Sequence, residues 1–405
     1  MKIFTNKSVY EAALDRIRYL YDEFENITVS FSGGKDSTIC LQLALIVAEE
    51  RKRLPLNVIF IDQEAEWSFV QTYMKKVMHD PRIKPYWFQM PIKITNSTST
   101  TDPWLYCWKE GEEENWVHPK DPISIKENTY GTDRFYELFD AIIRKEFKGQ
   151  STANLGGVRT QESPARYLGL TGAVTYKFIT WGKILTKKLN HFTFYPIYDW
   201  GYKDVWKAIH DNKWEYCELY DRMYQYGITV NNMRVSNLHH ETAIQNLYIL
   251  QEIDPKVWEK LTKRLQGINT AGHLQKESIS PPKQLPYMFK DWMEYRDYLV
   301  KHLVTDSEVR GKFKKYFEGH DKYYQSPLIR DLYLRSNIVA VMTNDTGAKL
   351  GNFETISDVR EYRAFIRGVE RPNNVNNKYI LDLKEYEHKK TLKRRNKRGL
   401  RFSKR

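Results

Sequence analysis

A short glycine-containing turn between an apolar strand and a long apolar helix constrains this chain more than any other feature. The β-rich run Ile27–Phe31 leads into the turn Ser32–Ser37 (SGGKDS), and an apolar helical pattern follows at Thr38–Glu50. Glycines let a backbone approach a ligand closely, and the N–H groups that open a helix have no partners within it. Because the helix dipole also favours an anion there, the turn predicts a phosphate-binding loop.

The side chains of the turn support the same prediction. Ser32 and Ser37 add hydroxyl donors, and Lys35 adds a positive charge. Asp36 is expected to be exposed at the loop, where its carboxylate would help to hold Mg²⁺. The GxxxxGK[ST] spacing of a Walker A loop is absent, so the turn indicates a different nucleotide-binding motif.

Strand and helix patterns alternate beyond the turn. Asn57–Asp62 and Tyr86–Met90 have strand composition, and Trp67–Met78 between them has a helical pattern. This alternation predicts an α/β fold with a doubly wound, mainly parallel sheet. Residues 95–135 interrupt it with a Ser/Thr run, three tryptophans and an acidic EGEEE, and they are predicted to form an insertion or lid.

Length and pattern divide the chain into domains. A chain of 405 residues is too long for one ordinary core. After about residue 235 the patterns are mainly helical, at 239–252, 254–265, 288–303 and 355–368, with a Ser/Pro-containing linker at Ser278–Pro282. We predict a nucleotide-binding domain at 1–235, a mostly helical domain at 236–388 and a basic tail at 389–405.

The positive charge of the chain is concentrated in that tail. The net charge is +13, and residues 389–405 hold ten Lys or Arg and no acid, so the remainder carries 13 − 10 = +3. A basic arm of this kind is typical of DNA or RNA binding. A solubilising arm with no partner is the alternative.

Two further observations narrow the class of protein. No stretch approaches the roughly 20 uninterrupted apolar residues of a transmembrane helix, so we expect a cytoplasmic protein with no membrane partner. Cys40, Cys107 and Cys217 are far apart and form no CxxC pair, which argues against a zinc site or a disulfide framework.

Several segments resemble a known family. The SGGKDS turn resembles the PP-loop of the N-type ATP pyrophosphatase superfamily, whose members commonly split ATP between its α- and β-phosphates. Phe60–Asp62, residues 156–166 (GGVRTQESPAR) and residues 196–206 (PIYDWGYKDVW) resemble the phosphoadenosine phosphosulfate (PAPS) reductase branch. Arg264–Gly267 and the following Ala271-Gly272 are similar to a subgroup with an added C-terminal domain, whose members are associated with a ParB-like partner.

The resemblance implies that the chain binds ATP or a PAPS-like adenine nucleotide together with Mg²⁺. Its implied nucleotide contacts are Ser30, Ser32, Gly33, Gly34, Lys35, Asp36, Ser37, Asp62, Gly157, Arg159, Glu162 and Arg166. Its implied catalytic residues are Lys35, Asp36, Arg159 and Arg166, with Asp36 as the metal contact.

The chemistry of these residues agrees with that implication. Arg159 and Arg166 are seven residues apart, so two turns of a helix that begins early enough would carry both to one face. There they could clamp a phosphate or sulfate, with Glu162 orienting one of them. Asp62 stands at the carboxyl end of a strand, where it would contact the nucleotide or cap the next helix.

One departure from the family concerns the reaction. The ECGxH motif, which carries the nucleophilic cysteine of assimilatory PAPS reductases, is absent, and the last cysteine is Cys217. Thiol-dependent sulfate reduction is therefore not expected. Two functions remain open: an enzyme that adenylates a substrate and releases pyrophosphate, and a nucleotide-responsive regulatory module that binds nucleic acid or a ParB-like protein.

Overall fold

The computed structural model describes residues 6–162, 164–171, 176–186, 189–230, 233–235, 237–240, 247–269, 282, 284–321 and 327–347. The predicted basic tail at 389–405, the helical pattern at 355–368, most of the linker at 278–282, and Ala271-Gly272 lie outside those ranges. Within the described ranges, no helix is both long and apolar enough to cross a membrane.

The described strands form two sheets. In chain order they are β1 (Asn26–Ser30), β2 (Leu56–Ile61), β3 (Ile83–Phe88), β4 (Ile92–Thr95), β5 (Trp104–Cys107), β6 (Thr152–Gly156), β7 (Gly182–Thr186) and β8 (His191–Phe194). Six of them form one sheet in the order β3-β2-β1-β6-β8-β7, which is parallel except that β7 runs antiparallel to β8. β4 and β5 form a separate two-stranded sheet. The α/β class with a mainly parallel sheet is therefore confirmed.

Helices connect and follow these strands. Those of the described residues are α1 (Val9–Glu23), α2 (Lys35–Glu50), α3 (Ser68–Met78), α4 (Phe135–Glu146), α5 (Pro164–Thr171), α6 (Tyr202–Asn212), α7 (Leu219–Gln225), α8 (Leu247–Ile253), α9 (Pro255–Arg264), α10 (Trp292–His302), α11 (Ser307–Asp321) and α12 (Pro327–Met342). α2 begins three residues before the apolar pattern at Thr38, because Gly34 in an extended conformation is its N-cap. The predicted phosphate-binding side chains Lys35, Asp36 and Ser37 therefore form the first helical turn.

α2 is apolar on most of its surface because it is surrounded. It contacts β1, β2 and β6 of the sheet as well as α1 and α6. Ile39, Leu43 and Val47 have no exposed surface at all. Burial of this kind stabilises the helix far more than its intrinsic propensity does, and it holds the preceding turn at the edge of the sheet.

The strand order opens a crevice beside β1. β1 pairs in parallel with β2 on one side and with β6 on the other, and Ser30 pairs with Gly156, so β1 and β6 end at the same level. Connections that leave two such strands diverge, and ligands of doubly wound sheets lie in the crevice between them. The turn Ser32–Ser37 and the stretch after Gly156 border this crevice.

The chain divides into two compact units. Of the described residues, the first unit takes those within 6–94, 104–238 and 249–264, including the six-stranded sheet. The second takes those within 95–103, 239–248 and from 265 onwards, including α10, α11 and α12. The first unit thus takes in residues beyond 235, and the second takes in part of the stretch 95–135.

Hydrogen bonds connect the loop 95–103 to other residues of the second unit. The Thr95 carbonyl lies 3.0 Å from Nδ1 of His239, and the Ser97 N–H donates to the His239 carbonyl at 2.9 Å. The Asn344 side-chain amide donates to the Asn96 carbonyl at 2.8 Å. Burial lowers the pKa of His239 to about 3, so its ring is neutral and serves as a structural hydrogen-bonding group.

In the first unit, an arginine of α1 holds residues 196–200 (PIYDW), the start of the segment 196–206 that resembles the PAPS reductase branch. The Arg16 guanidinium donates to the Pro196 carbonyl at 2.7 Å and to both carboxylate oxygens of Asp199, at 2.8 and 2.6 Å. It also lies 4.8 Å from the centre of the Tyr198 ring. The indole N–H of Trp200 donates to the Val9 carbonyl at 3.0 Å. The stretch therefore anchors α1 to the rest of the unit.

We predict that Arg16→Ala lowers the free energy of unfolding by about 2–3 kcal/mol, because a half-buried carboxylate and a carbonyl lose their donors. Chemical denaturation followed by tryptophan fluorescence measures the change. The matched control is Arg18→Ala, whose partner Glu50 is 39% exposed and whose loss should cost less than about 1 kcal/mol. Equal losses in the two variants would contradict the anchoring role.

Candidate functional site

The turn before α2 is closed by its own side chains. Gly33 has φ +71°, a left-handed conformation that favours glycine. The Ser37 hydroxyl donates to the Gly34 carbonyl at 2.9 Å, and the Ser32 N–H donates to the Ser37 hydroxyl at 3.3 Å. The Ser30 hydroxyl donates to the Asn154 side chain at 3.1 Å within the sheet. These serines shape the loop before any ligand is considered.

The backbone donors of the turn are mostly open. The hydrogen bonds described for this part of the chain engage the N–H groups of Ser32 and Lys35, and the Thr38 N–H donates to the Gly34 carbonyl at 2.9 Å. None of them engages the N–H groups of Gly33, Gly34, Asp36 or Ser37. Unengaged donors at the start of a helix, where the dipole is positive, form an anion site.

A tyrosine that the sequence patterns did not reveal supports the turn. The Lys35 N–H donates to the Tyr220 hydroxyl at 3.0 Å, and the Lys35 ammonium lies 5.4 Å from the centre of the Tyr220 ring. Burial raises the pKa of Tyr220, so the hydroxyl stays neutral. Tyr220 lies on α7, 185 residues from its partner. No local pattern could have predicted this contact.

Gly157 lets the stretch after β6 lie directly against α2. A Cβ at this position would be 2.6 Å from the Asp36 carbonyl carbon, from the Asp36 carbonyl oxygen and from the Ser37 nitrogen. Backbone atoms cannot give way as a flexible side chain can, so only glycine fits. This contact brings the next residues of the stretch to the turn.

Arg159 pairs with Asp36 across that contact. Its Nε donates to Asp36 Oδ1 at 2.5 Å, and the Lys35 ammonium lies 3.2 Å from Asp36 Oδ2. Asp36 is only 8% exposed, so the expectation of an exposed residue is wrong: the close approach of Gly157 buries it. Burial is the largest influence on Lys35 and lowers its pKa, although the Asp36 carboxylate acts in the opposite direction.

Glu162 lies close to both predicted arginines, Arg159 and Arg166. It forms an ion pair with Arg166, and its other oxygen lies 3.9 Å from Nη2 of Arg159. The sequence predicted that one helix would align them if it began early enough, and this condition is not met, because α5 begins at Pro164 and leaves Arg159 before it. A shared carboxylate, and not helical spacing, places the two guanidinium groups together.

Asp62 lies apart from the turn. Its carboxylate accepts hydrogen bonds from Trp87 Nε1 at 3.1 Å, Gln89 Nε2 at 2.8 Å and the Glu64 N–H at 2.9 Å, and His118 Nε2 lies 3.7 Å away. Burial by itself would raise its pKa, but His118 and these hydrogen bonds outweigh burial, and the pKa is lowered. No described contact joins Asp62 to the turn Ser32–Ser37.

Two further buried acids follow Asp62. Glu64 has no exposed surface and pairs with Arg264 through bonds of 2.7 and 3.1 Å. Glu66 is 2% exposed, and its Oε2 has no hydrogen-bond partner within the described part of the chain. Burial raises the pKa of Glu66 well above its ordinary value, with the Asp62 carboxylate adding to the rise. A carboxyl group in this setting keeps its proton to a higher pH than an exposed glutamate does. The acid-rich run after the strand was the available signal for both residues.

No group of three or more His, Cys, Asp or Glu side chains that could hold a metal ion occurs among the residues that the structure describes. Asp36 and Glu162 are the carboxylates beside the turn, and both contact arginines. A metal bound there would draw its remaining ligands from a phosphate and from water, as Mg²⁺ commonly does.

Comparison with known families divides the chain in two. Residues 26–226 match the family described as Phosphoadenosine phosphosulfate reductase domain. Residues 227–398 match a family described as Domain of unknown function (DUF3440). The first match contains every predicted site residue, and the second begins directly after α7.

Two curated relatives are similar to this chain. The uncharacterized protein YbdN of Escherichia coli (strain K12) is 28% identical over 338 residues, which is 78% of this chain and 80% of YbdN. An uncharacterized protein of Methanocaldococcus jannaschii is 26% identical over 217 residues, which is 53% of this chain and 44% of that protein. The chain therefore spans less than half of the archaeal relative.

Solved structures with some likeness include two fungal enzymes. FMN adenylyltransferase of Candida glabrata, in complex with FMN and an ATP analog, has 14% identity and a TM-score of 0.33, covering 54% of this chain and 64% of that chain. Phosphoadenylyl-sulfate (PAPS) reductase of Candida auris, in a phosphate complex, has 12% identity and a TM-score of 0.30, covering 59% of this chain and 98% of that chain. This chain thus spans less than two thirds of the adenylyltransferase.

We predict that Gly157→Ala displaces the turn, because the new methyl group would meet three backbone atoms at 2.6 Å. Overpacking of this kind should cost about 1–3 kcal/mol of unfolding free energy and weaken ADP binding at least about 10-fold. Calorimetric titration and chemical denaturation measure the two effects. Gly311→Ala is the control, since nothing lies within 4 Å of its Cβ position. Unchanged ADP affinity in Gly157→Ala would contradict the packing argument.

A second prediction concerns the raised pKa of Glu66. The folded-state pKa of Glu66 is raised, so the unfolded chain loses this proton at a lower pH, and the contribution of Glu66 to wild-type stability falls as pH rises above about 4.3. Glu66→Gln keeps the shape of the side chain but removes its titratable carboxyl group. The unfolding free energy of this variant should therefore exceed that of the wild type by a margin that grows from pH 4 to pH 8.

We expect that margin to reach about 1–3 kcal/mol, and denaturation at several pH values measures it. The exposed Glu49→Gln is the control and should change stability by less than about 0.5 kcal/mol. A pH-independent difference for Glu66→Gln would show that the pKa of Glu66 is not raised in the folded protein.

Proposed function

Because the chain belongs to the PAPS reductase-like branch of the PP-loop superfamily, with residues 26–226 as its reductase-type domain and an added C-terminal domain, we propose that it is an adenylyl-transferring enzyme. It binds ATP or an adenylyl-sulfate nucleotide, and from ATP it adenylates a substrate and releases pyrophosphate. The observation that carries this proposal is the start of α2, where four backbone N–H groups are unengaged within the described structure and basic side chains surround them.

The reaction needs charge stabilisation more than it needs a protein nucleophile. An oxygen of the acceptor attacks the α-phosphorus, the bond from that phosphorus to the bridging oxygen breaks, and pyrophosphate leaves with the bonding electrons. Preformed donors stabilise the developing negative charge at little reorganisation cost. The open N–H groups of the turn, together with Lys35, Arg159 and Arg166, supply such donors.

Asp36 fits the role of a Mg²⁺ contact. Its carboxylate is engaged by Arg159 on one oxygen and by Lys35 on the other, but a carboxylate has about four acceptor positions, so further coordination is open to it. Mg²⁺ commonly takes one or two carboxylates together with phosphate oxygens. Bound there, the ion would neutralise phosphate charge and polarise the α-phosphate.

The cysteines support a reaction without a thiol. The chain has three, and Cys40, Cys107 and Cys217 are all buried. Burial raises the pKa of the Cys40 and Cys217 thiols to about 12 and raises that of Cys107 well above its ordinary value. A nucleophilic cysteine needs an accessible thiolate, so these residues do not suit sulfonyl transfer.

A regulatory module is the second candidate function. The ten basic residues within 389–405 favour binding to DNA or RNA, with nucleotide occupancy of the turn as the switch. A ParB-like protein is the other partner that the family resemblance implies. Removal of 389–405 separates the two functions: retained nucleotide turnover with loss of nucleic-acid binding would assign the tail to the partner and the turn to catalysis.

The enzyme assignment is tested with ATP labelled at the α-phosphate, in the presence of Mg²⁺ and with water as a substitute acceptor. We predict AMP and pyrophosphate as products. Asp36→Asn, which removes one negative charge but keeps the shape, should lower their formation about 100-fold or more because the metal loses a carboxylate. The exposed Asp22→Asn is the matched control.

Two outcomes would contradict parts of this proposal. ADP and inorganic phosphate as products would exclude cleavage between the α- and β-phosphates. Unchanged turnover in Asp36→Asn would exclude Asp36 as the metal contact while leaving the nucleotide site in place.

A further inference from the structure

A buried tyrosine hydroxyl lies at the start of α2. Tyr220 on α7 is only 3% exposed, and its hydroxyl accepts the Lys35 N–H at 3.0 Å. The same hydroxyl oxygen lies 3.6 Å from the Cβ position of Gly34. The N–H of Gly34 is among those that no described hydrogen bond engages. Tyr220 therefore borders the backbone donors of the proposed phosphate site.

The hydrogen of this hydroxyl has no acceptor within the part of the chain that the structure describes. A phenol hydroxyl donates one hydrogen bond and accepts others. The Tyr220 oxygen accepts the Lys35 N–H, and the hydrogen bonds of the described residues include none that this hydroxyl donates. Burial raises the pKa of Tyr220, so the hydrogen stays on the oxygen. A buried donor is costly to leave without an acceptor, which favours an oxygen that arrives with a ligand.

The ring of Tyr220 is held from two sides. Trp206 of α6 packs edge-on against it with the ring centres 5.4 Å apart, and the Lys35 ammonium lies 5.4 Å from the centre of the Tyr220 ring. Trp206 is the last residue of the segment 196–206, so that segment fixes the tyrosine as well as α1. A donor that is already held loses little conformational freedom when a ligand binds to it.

A second buried tyrosine beside α2 provides a contrast. Tyr73 is 7% exposed, and its hydroxyl donates to the Glu215 carbonyl at 2.9 Å. The Thr38 hydroxyl lies 3.2 Å from the same oxygen and is placed to donate to it. The Tyr73 hydroxyl thus uses both its donor and its acceptor capacity inside the protein, as a structural group does. Tyr220 uses only its acceptor capacity there.

On the basis of the proposed nucleotide-binding function, we propose that Tyr220 is a phosphate-binding residue whose hydroxyl donates to a phosphate oxygen of the ligand while it accepts the Lys35 N–H. The bound oxygen lies beside Gly34, where the open N–H groups of the turn bind the same phosphate group. A hydrogen bond to an ionised oxygen is about twice as strong as one between neutral groups. The ligand class is a phosphate chain, in a nucleotide or in free pyrophosphate.

The test is calorimetric titration of the wild type and of Tyr220→Phe with ADP and with inorganic pyrophosphate. Phenylalanine keeps the ring and its packing against Trp206 but removes the hydroxyl. We expect Tyr220→Phe to weaken both ligands by a similar factor of about 10- to 100-fold, as the loss of a hydrogen bond to a charged group does. Pyrophosphate has no nucleoside, so a loss for both ligands assigns the contact to phosphate.

Tyr73→Phe is the matched control, because it removes a buried tyrosine hydroxyl that is bonded to the same helix through Thr38. This variant loses two hydrogen bonds inside the protein. We expect its thermal unfolding midpoint without ligand to fall further than that of Tyr220→Phe, which loses one. Both of its ligand affinities should stay within about 3-fold of the wild type, since its hydroxyl has no donor capacity left for a ligand.

Four outcomes would overturn the assignment. Unchanged or tighter binding of ADP by Tyr220→Phe, with wild-type binding intact, would remove the hydroxyl from the ligand and leave the proposed function standing. Equal losses of affinity in Tyr220→Phe and Tyr73→Phe would show that both hydroxyls act through the structure of α2. A loss for ADP with unchanged pyrophosphate affinity would place the contact on the nucleoside. A wild type that binds neither ligand would overturn the proposed function as well.

Discussion

The candidate site depends on the contact between Gly157 and the first turn of α2. β1 and β6 are parallel neighbours that end at the same level, so their connections leave the sheet side by side. The backbone after β6 lies so close to Asp36 and Ser37 that no side chain fits between them. That approach carries Arg159 to Asp36, buries the carboxylate and leaves the helix N-terminus facing the crevice.

The charged side chains around the turn are held by one another. Asp36 binds both Lys35 and Arg159, and Glu162 binds Arg166 and lies close to Arg159. Long basic side chains lose rotamer freedom when they bind a ligand, and partners that hold them beforehand reduce that cost. The charged side chains of the candidate site are therefore ordered before any ligand is considered.

Buried acidic residues follow the carboxyl end of β2. Three acids occur within five residues there, and all of them are buried. Asp62 is stabilised by His118 and by hydrogen bonds, and Glu64 by a two-bond ion pair with Arg264. Ionised carboxylates are costly in a low-dielectric interior unless each has its own partner, so burial raises the pKa of Glu66, whose Oε2 has no hydrogen-bond partner among the described residues.

Local sequence patterns predicted much of the fold. Short runs of strand composition, alternating with helical patterns and joined by a glycine turn, predicted the mainly parallel sheet. The boundary of α2 was wrong by three residues, because Gly34 begins the helix before its apolar pattern starts. The predicted division at residue 235 stays a prediction, and so do the roles of the predicted site residues.

The sequence by itself determined the class of fold, the glycine-containing turn before α2 and the absence of the ECGxH motif, since each depends on a pattern of neighbouring residues. Only the tertiary structure decided that Asp36 is buried and that Tyr220 supports the turn. Tyr220 is 185 residues from Lys35, and the stretch at Gly157 that buries Asp36 follows a different strand. Their proximity follows from the packing of the sheet and its helices, which no local periodicity records.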